Sequence, residues 1–260
     1  MKILVILGSD RKGNTYKIVE AIKNNVKKID SRIEFEFLHL NDLNIDFCKG
    51  CYLCFDKGEE FCPNKDDLKI LYDKIDSSDG LIIASPIYAL SLSANLKNVF
   101  DRFAYVIHRP RFFNKSSLCV VTTFASPNMK NTLELIKANL WLWGFNVTGK
   151  IGITGGTDKS FKEDDFPDKK TLKKIRKLSI SFFKDLKMKK FQKPSFMGMM
   201  KFELVRNLMK NEKTADSEYF EKKGWSNPKV KYYYDVRINV FKRIVVKIIV
   251  FLAKKFMKIK

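Results

Sequence analysis

A chain of 260 residues with 45% hydrophobic content has room for one domain with a true core plus an appendage, or for two small domains, and is too apolar to be disordered throughout. Its formal charge is +21 with a pI near 9.7, which bears on partners and solubility rather than on fold. The excess is local, since residues 160–260 carry 28 Lys/Arg against 11 Asp/Glu while residues 1–159 carry 22 against 18. In chain order, Lys2–Gly8 reads as a buried strand and Asn14–Lys28 as a helix that turns Tyr16, Ile18, Val19, Ile22 and Val26 toward a core. Strands follow at Ile33–Leu40, Gly80–Ala84, Leu118–Thr123 and Val147–Ile153, with helices between them at Asp66–Ile75, Ser93–Val106 and Met129–Trp143. This alternation predicts a five-stranded parallel sheet covered by helices on both faces, a three-layer αβα sandwich, because parallel strands need crossover connections.

Beyond about residue 160 the strand rhythm stops. Lys169–Lys189 reads as a basic helix, Phe196–Met209 is rich in Met and aromatics, Tyr219–Tyr234 gathers aromatics, and Val240–Lys260 is a basic amphipathic helix. The expected division is therefore residues 1–158 as the α/β domain, with a Cys-rich insertion at 47–63, and residues 159–260 as a basic, mainly helical extension. The opening apolar run Ile3–Leu7 is too short for a secretory signal, and Ile244–Val246 and Ile248–Ala253, split by Lys247, fall short of the roughly 18 apolar residues of a spanning helix. A cytoplasmic protein is expected.

In an open parallel sheet, ligands bind beyond the carboxyl ends of the strands, near the point where strand order reverses. Gly8–Thr15, Ala84–Leu92 and Thr122–Pro127 should meet there. The first joins a strand to a helix, so its N–H groups converge on a place where an anion can sit. Ser9, Asn14 and Thr15 can add hydrogen bonds and Arg11 a charge-assisted contact, which suits a phosphate monoester. Neither G-x-x-x-x-G-K-[ST] nor G-x-G-x-x-G is present. The plainer alternative is that Gly8 only turns the chain and Asn14 only caps the helix.

Gly8–Thr15 together with Ser85-Pro86-Ile87-Tyr88 and Leu96–Arg102 resembles the NAD(P)H-dependent FMN reductase family, of flavodoxin-like fold, over roughly residues 1–155. The resemblance implies an FMN cofactor and NAD(P)H as cosubstrate. It assigns Ser9, Arg11, Gly13, Asn14 and Thr15 to the FMN phosphate and Pro86, Ile87, Tyr88 and Ala89 to the isoalloxazine ring. Thr123, Phe124 and Ala125 would close the third side. In such a site the flavin supplies the redox chemistry and the protein supplies placement, so no catalytic acid or base is nominated. Asp101 and Arg102 read as a structural ion pair, and His39 and His108 as surface or packing residues. The resemblance also implies a homo-oligomer, a dimer or tetramer.

Cys48-x2-Cys51-x2-Cys54-x7-Cys62-Pro63 is the sharpest motif. Its first three positions match the spacing by which ferredoxins wrap an iron–sulfur cluster, although the last gap is longer. The whole pattern is similar to the iron–sulfur flavoproteins, a branch of the same family, which implies Cys48, Cys51, Cys54 and Cys62 as ligands of a [4Fe–4S] cluster and electron flow from nicotinamide through FMN, and through the cluster, to an acceptor. A four-cysteine zinc site and plain redox or structural thiols stay open beside it. Cys119, within a strand, reads as an inert core residue.

The helix Val240–Lys260 sets Phe241, Ile244, Val245, Ile248, Ile249, Leu252 and Phe256 on one face, with Arg243, Lys247, Lys254 and Lys258 on another. Such a face packs more often on its own domain or a second subunit than on an anionic membrane. Trp225 and Tyr232–Tyr234 read as packing residues, and no nucleic-acid partner is expected. Taken together, the reading is an NAD(P)H-linked, FMN-dependent oxidoreductase. The alternatives are a cluster-free FMN or quinone reductase, a non-catalytic electron carrier, and an interaction protein on a degenerate fold.

Overall fold

The protein is described by a computed structural model over residues 1–124, 128–155 and 167–256. In chain order its elements are β1 (Lys2–Leu7), α1 (Asn14–Ile29), β2 (Glu34–His39), α2 (Leu53–Asp56), α3 (Leu68–Ser77), β3 (Gly80–Tyr88), β4 (Ser91–Leu92), α4 (Ala94–Arg102), α5 (Ala104–His108), β5 (Ser116–Thr123), α6 (Met129–Trp143), β6 (Asn146–Thr154), α7 (Lys169–Met188), α8 (Phe196–Leu208), α9 (Ala215–Lys222) and α10 (Val240–Phe256). The chain forms two compact units, Met1–Cys48 with Asn64–Lys190, and Lys49–Pro63 with Phe191–Lys260.

The first unit holds a sheet of order β2-β1-β3-β5-β6, every neighbouring pair parallel. This is a flavodoxin-like αβα sandwich. A sixth strand, β4, corrects the expected count of five: it pairs antiparallel with the end of β3, Ile87 opposite Leu92 and Tyr88 opposite Ser91. It escaped the sequence reading because two residues carry no periodicity. β3 correspondingly runs on to Tyr88 rather than stopping at Ala84. The expected helix Ser93–Val106 is two helices, broken at Phe103 (φ −95°, ψ 17°).

Both faces of the sheet are covered. Ile3, Val5 and Leu7 alternate with Leu4 and Ile6, and none of the five is more than 2% exposed, the pattern of a strand buried on two sides. Ile18, Val19, Ile22 and Val26 of α1 pack on one side in the same core as Ile175, Phe182 and Leu186 of α7. Helix α7, read from sequence with the basic extension, therefore completes a layer of the first unit. Two glycines of β6 show how closely the layers approach: a Cβ on Gly149 would meet Leu178 of α7, and one on Gly152 would meet Met129 and Leu133 of α6. Three positions apart on a strand, they lie on opposite faces.

In the second unit α2 contacts α9, and α8 contacts α10. Phe202, Phe220, Trp225, Tyr232 and Tyr233 pack edge to face in one aromatic cluster, and the Trp225 indole N–H donates to the Tyr233 carbonyl at 3.0 Å. All five side chains are buried. Helix α10 does not turn its wide apolar face onto its own unit. Among its described side chains, Val246 and Val250 are the buried ones, beside Met199 of α8, while Phe241, Ile244, Val245, Ile248 and Leu252 are exposed. Ile249 is half-buried, and the side chain of Phe256 lies outside the described residues, as does Lys258.

Candidate functional site

The strand order reverses between β1 and β3, and the connections leaving these two strands meet beyond their carboxyl ends. The first is Gly8–Gly13, which enters α1 with Gly13 at the N-cap; no side chain caps the helix there. The first-turn N–H groups of a helix have no partner within it, and they mark the positive end of its dipole. The second is the hairpin Tyr88-Ala89-Leu90-Ser91, whose two central residues have φ of 46° and 64°. That is the two-residue turn with both centres left-handed, favoured by the twist of paired strands but normally filled by Asn or Gly.

The two connections are locked together. The Gly8 N–H donates to the Ala84 carbonyl at 2.9 Å. A Cβ on Gly8 would lie 2.4 Å from Ser93 Oγ and 3.2 Å from Ser85 Oγ, so any other residue would have to displace the Ser93 hydroxyl for the loop to close on β3 and the start of α4. Ser85 is fully buried, and its hydroxyl accepts from the Ser93 N–H at 3.1 Å. At the rim, the Ser9 and Tyr88 hydroxyls are 3.5 Å apart, and Ser9 Oγ accepts from the Arg11 N–H at 3.3 Å.

Three polar residues brace the same loop: His39, read from sequence as a surface or packing residue, and Asn41 and Asn95, which sequence reasoning passed over. His39, at the end of β2, donates from Nδ1 to the Ser9 carbonyl at 3.0 Å; a carbonyl only accepts, so this contact fixes the Nδ1–H tautomer. Asn41 donates to Asp10, and Asn95 donates to Asn41. These residues sit 30 to 54 positions from their partners, and no local motif announces such contacts.

The expected phosphate residues differ in what they have free to offer. Arg11 is exposed, Ser9, Gly13 and Asn14 are half-buried, and Thr15 is buried. Thr15 Oγ1 lies 2.6 Å from Thr122 Oγ1, which ties α1 to β5. Of the ring-side residues, Pro86 and Ile87 are half-buried and Tyr88 and Ala89 exposed, as is Phe124, with Thr123 half-buried. Thr123 accepts through its carbonyl from the Gly155 N–H at 2.9 Å. Ala125 lies outside the described residues.

Arg102 and Asp101 do not pair with each other. Asp101 takes Lys97 one turn back, and Arg102 turns inward to Asp66. Arg102 also donates to the Asp46 carbonyl at 2.6 Å, and Asn98 Nδ2 to the Ile45 and Asp46 carbonyls. Asn98 Oδ1 accepts from the Cys48 N–H at 3.2 Å. The root of the cysteine segment is thus held by two residues of α4.

None of the five cysteines is in a disulfide; Cys48 and Cys51 are exposed, Cys54 and Cys62 half-buried and Cys119 buried. Cys54 lies on α2, and left-handed or otherwise positive φ values at Gly50, Tyr52 and Gly58 bend the segment. Four thiols suit an iron–sulfur cluster in number and kind. Among the described residues, however, no group of three or more His, Cys, Asp or Glu is drawn close enough to hold a metal ion.

The comparisons decide the family. The NADPH-dependent FMN reductase family matches residues 1–157. The chain belongs to that family, in its iron–sulfur flavoprotein branch. An iron–sulfur flavoprotein of Archaeoglobus fulgidus is 29% identical over 229 residues, 86% of this chain and all of the relative. One from Methanosarcina thermophila is 30% identical over 181 residues, 68% of this chain and 92% of the relative. Among solved structures, RosB with bound 8-demethyl-8-formylriboflavin-5′-phosphate matches with a TM-score of 0.58 at 16% identity, covering 92% of each chain, a likeness of fold. The protein is accordingly an oxidoreductase of the NAD(P)H-dependent FMN reductase type, with FMN as cofactor and NAD(P)H as substrate.

Proposed function

We propose that FMN lies across the β1/β3 switch point, its phosphate on the N-terminal turn of α1 and its ring against the β3–β4 hairpin. The observation that carries this is the closure of Gly8 on Ser85 and Ser93, which brings the loop and the hairpin to one rim with Ser9 and Tyr88 in reach of each other. Ser9 and Asn14 offer side-chain hydrogen bonds to the phosphate, Gly13 its backbone, and Arg11 a charge. Thr15 acts mainly through its contact with Thr122. Pro86, Ile87, Tyr88 and Ala89 flank the ring, with Thr123 and Phe124 on the third side. The chemistry that FMN would supply there is acceptance of a hydride from the nicotinamide and delivery of electrons to an acceptor. The chain's residues hold the flavin and keep one ring face open.

The four thiols Cys48, Cys51, Cys54 and Cys62 are the candidate ligand set for a [4Fe–4S] cluster. Support comes from their spacing, the lack of any disulfide among them and the name shared by the relatives, which speaks for those proteins. We place the protein in the cytoplasm, where such thiols stay reduced, and as a homo-oligomer. Anaerobic purification followed by iron and sulfide analysis, and by absorption spectra before and after NAD(P)H, tests the whole reading. Flavin bands that bleach with NAD(P)H support the flavin site; failure to bind added FMN overturns it. About four irons and four sulfides per chain support the cluster; zinc instead, or no metal, leaves a cluster-free reductase.

A further inference from the structure

Helix α10 presents an apolar surface that none of the described residues covers. Val240, Phe241, Ile244, Val245, Ile248, Phe251 and Leu252 are 44–80% exposed. At 100° per residue they fill one continuous arc of about 140°. Val246 and Val250, which dock on α8 beside Met199, lie on the other side of the helix. The helix is therefore fixed by a narrow stripe and turns its broader apolar face outward.

The charge around that face selects its occupant. After Asp235 the sequence has eight Lys or Arg and no acidic residue. Arg243 and Lys247 lie between the outward arc and the docked stripe, where long side chains can reach past the apolar surface to a polar layer. A cleft of about 310 Å3 beside α10 brings Lys247 and Lys210 next to Phe251; the acid that lines it, Glu203, is taken up by Arg206. A second copy of the helix would bring cation against cation, whereas an anionic surface with an apolar interior matches both properties. Among the described residues no helix is long and apolar enough to cross a membrane, so the geometry is that of a helix lying in the interface plane.

We propose that α10 docks the protein on anionic phospholipid bilayers, with Phe241, Ile244, Ile248 and Leu252 entering the acyl boundary and the flanking cations facing the headgroups. The test is co-sedimentation of the full chain with vesicles of phosphatidylcholine alone and with about 30% phosphatidylglycerol. Several cations near an anionic leaflet should give at least about tenfold stronger partitioning to the anionic vesicles, weakened by raised salt. Phe241→Glu with Ile248→Glu should lower that partitioning by about tenfold or more. Flavin binding, remote from these residues in sequence, should be unchanged and reports that the variant is folded; where it is not, Phe241→Ser with Ile248→Ser replaces it. Absence of wild-type partitioning, or equal partitioning by the variants, overturns the proposal. So does a stable dimer in sedimentation velocity that the same substitutions dissolve.

Discussion

The Arg102 guanidinium lies against the Asp66 carboxylate with both side chains only 2% exposed, and from this position it also grips the Asp46 carbonyl just ahead of the cysteine segment. Burial pushes the Asp66 carboxyl upward, but the guanidinium and the N–H groups of Leu68 and Asp46 outweigh it and hold the group below its ordinary value. Breaking a buried pair by removing one partner leaves an uncompensated charge, so Arg102→Met should cost about 3–5 kcal/mol. A folded value below the unfolded one means that this contribution is complete above the unfolded carboxylate value of about 3.9 and is lost as pH falls through the folded value. Urea denaturation at neutral pH and near pH 3 should show a smaller acid loss in Asp66→Asn than in the natural chain. An equal acid loss in both would place the sensitivity elsewhere.

That pair also shows where sequence reasoning stops. The five parallel strands, α1, α6 and the loop Gly8–Thr15 were legible because each is a local pattern of apolar period and turn residues. Arg102 was correctly given a structural role but the wrong neighbour, because its partner lies 36 residues upstream. Asn41 and Asn95 were missed, and His39 was read only as a surface or packing residue, for the same reason: polar contacts across a fold leave no period. Helix α10 was legible only in part. Its amphipathicity identified an apolar face, yet period alone does not say whether the wide face or a narrow stripe is buried, and the structure buries the stripe of Val246 and Val250.

The hairpin beyond β3 carries two non-glycine residues in left-handed conformation, Ala89 and Leu90. A left-handed L-residue costs about 1–2 kcal/mol, part of which glycine recovers and part of which it returns as chain entropy. Leu90→Gly should therefore raise stability by about 0.5–1 kcal/mol in urea melts. A loss of stability would show that the exposed Leu90 side chain makes contacts worth more than the strain.

Cys119 faces the opposite chemistry from the other thiols. Buried in β5, its thiol is pushed up to about 12 by loss of solvation, so almost none is thiolate at neutral pH. Limited alkylation of the folded, metal-free protein should label Cys48 and Cys51 first and leave Cys119 unmodified until denaturant is added. Mass mapping that finds Cys119 labelled early would mean that β5 opens readily.

The loop after β1 allows phosphate binding to be separated from packing. Thr15 spends its hydroxyl on Thr122 at 2.6 Å in a buried contact, while Arg11 stands exposed beside it in sequence. Thr15→Val strands the Thr122 hydroxyl and should destabilise the protein by about 1–3 kcal/mol. Its effect on FMN affinity should stay within about threefold, because no direct phosphate contact is removed. Arg11→Gln should do the reverse, leaving the melt unchanged while weakening FMN about tenfold or more and flattening the salt dependence of binding. Riboflavin, which lacks the phosphate, should bind natural and Arg11→Gln chains alike. Fluorescence titration reads all three quantities, and a Thr15→Val chain that loses FMN as strongly as Arg11→Gln would return Thr15 to the phosphate site.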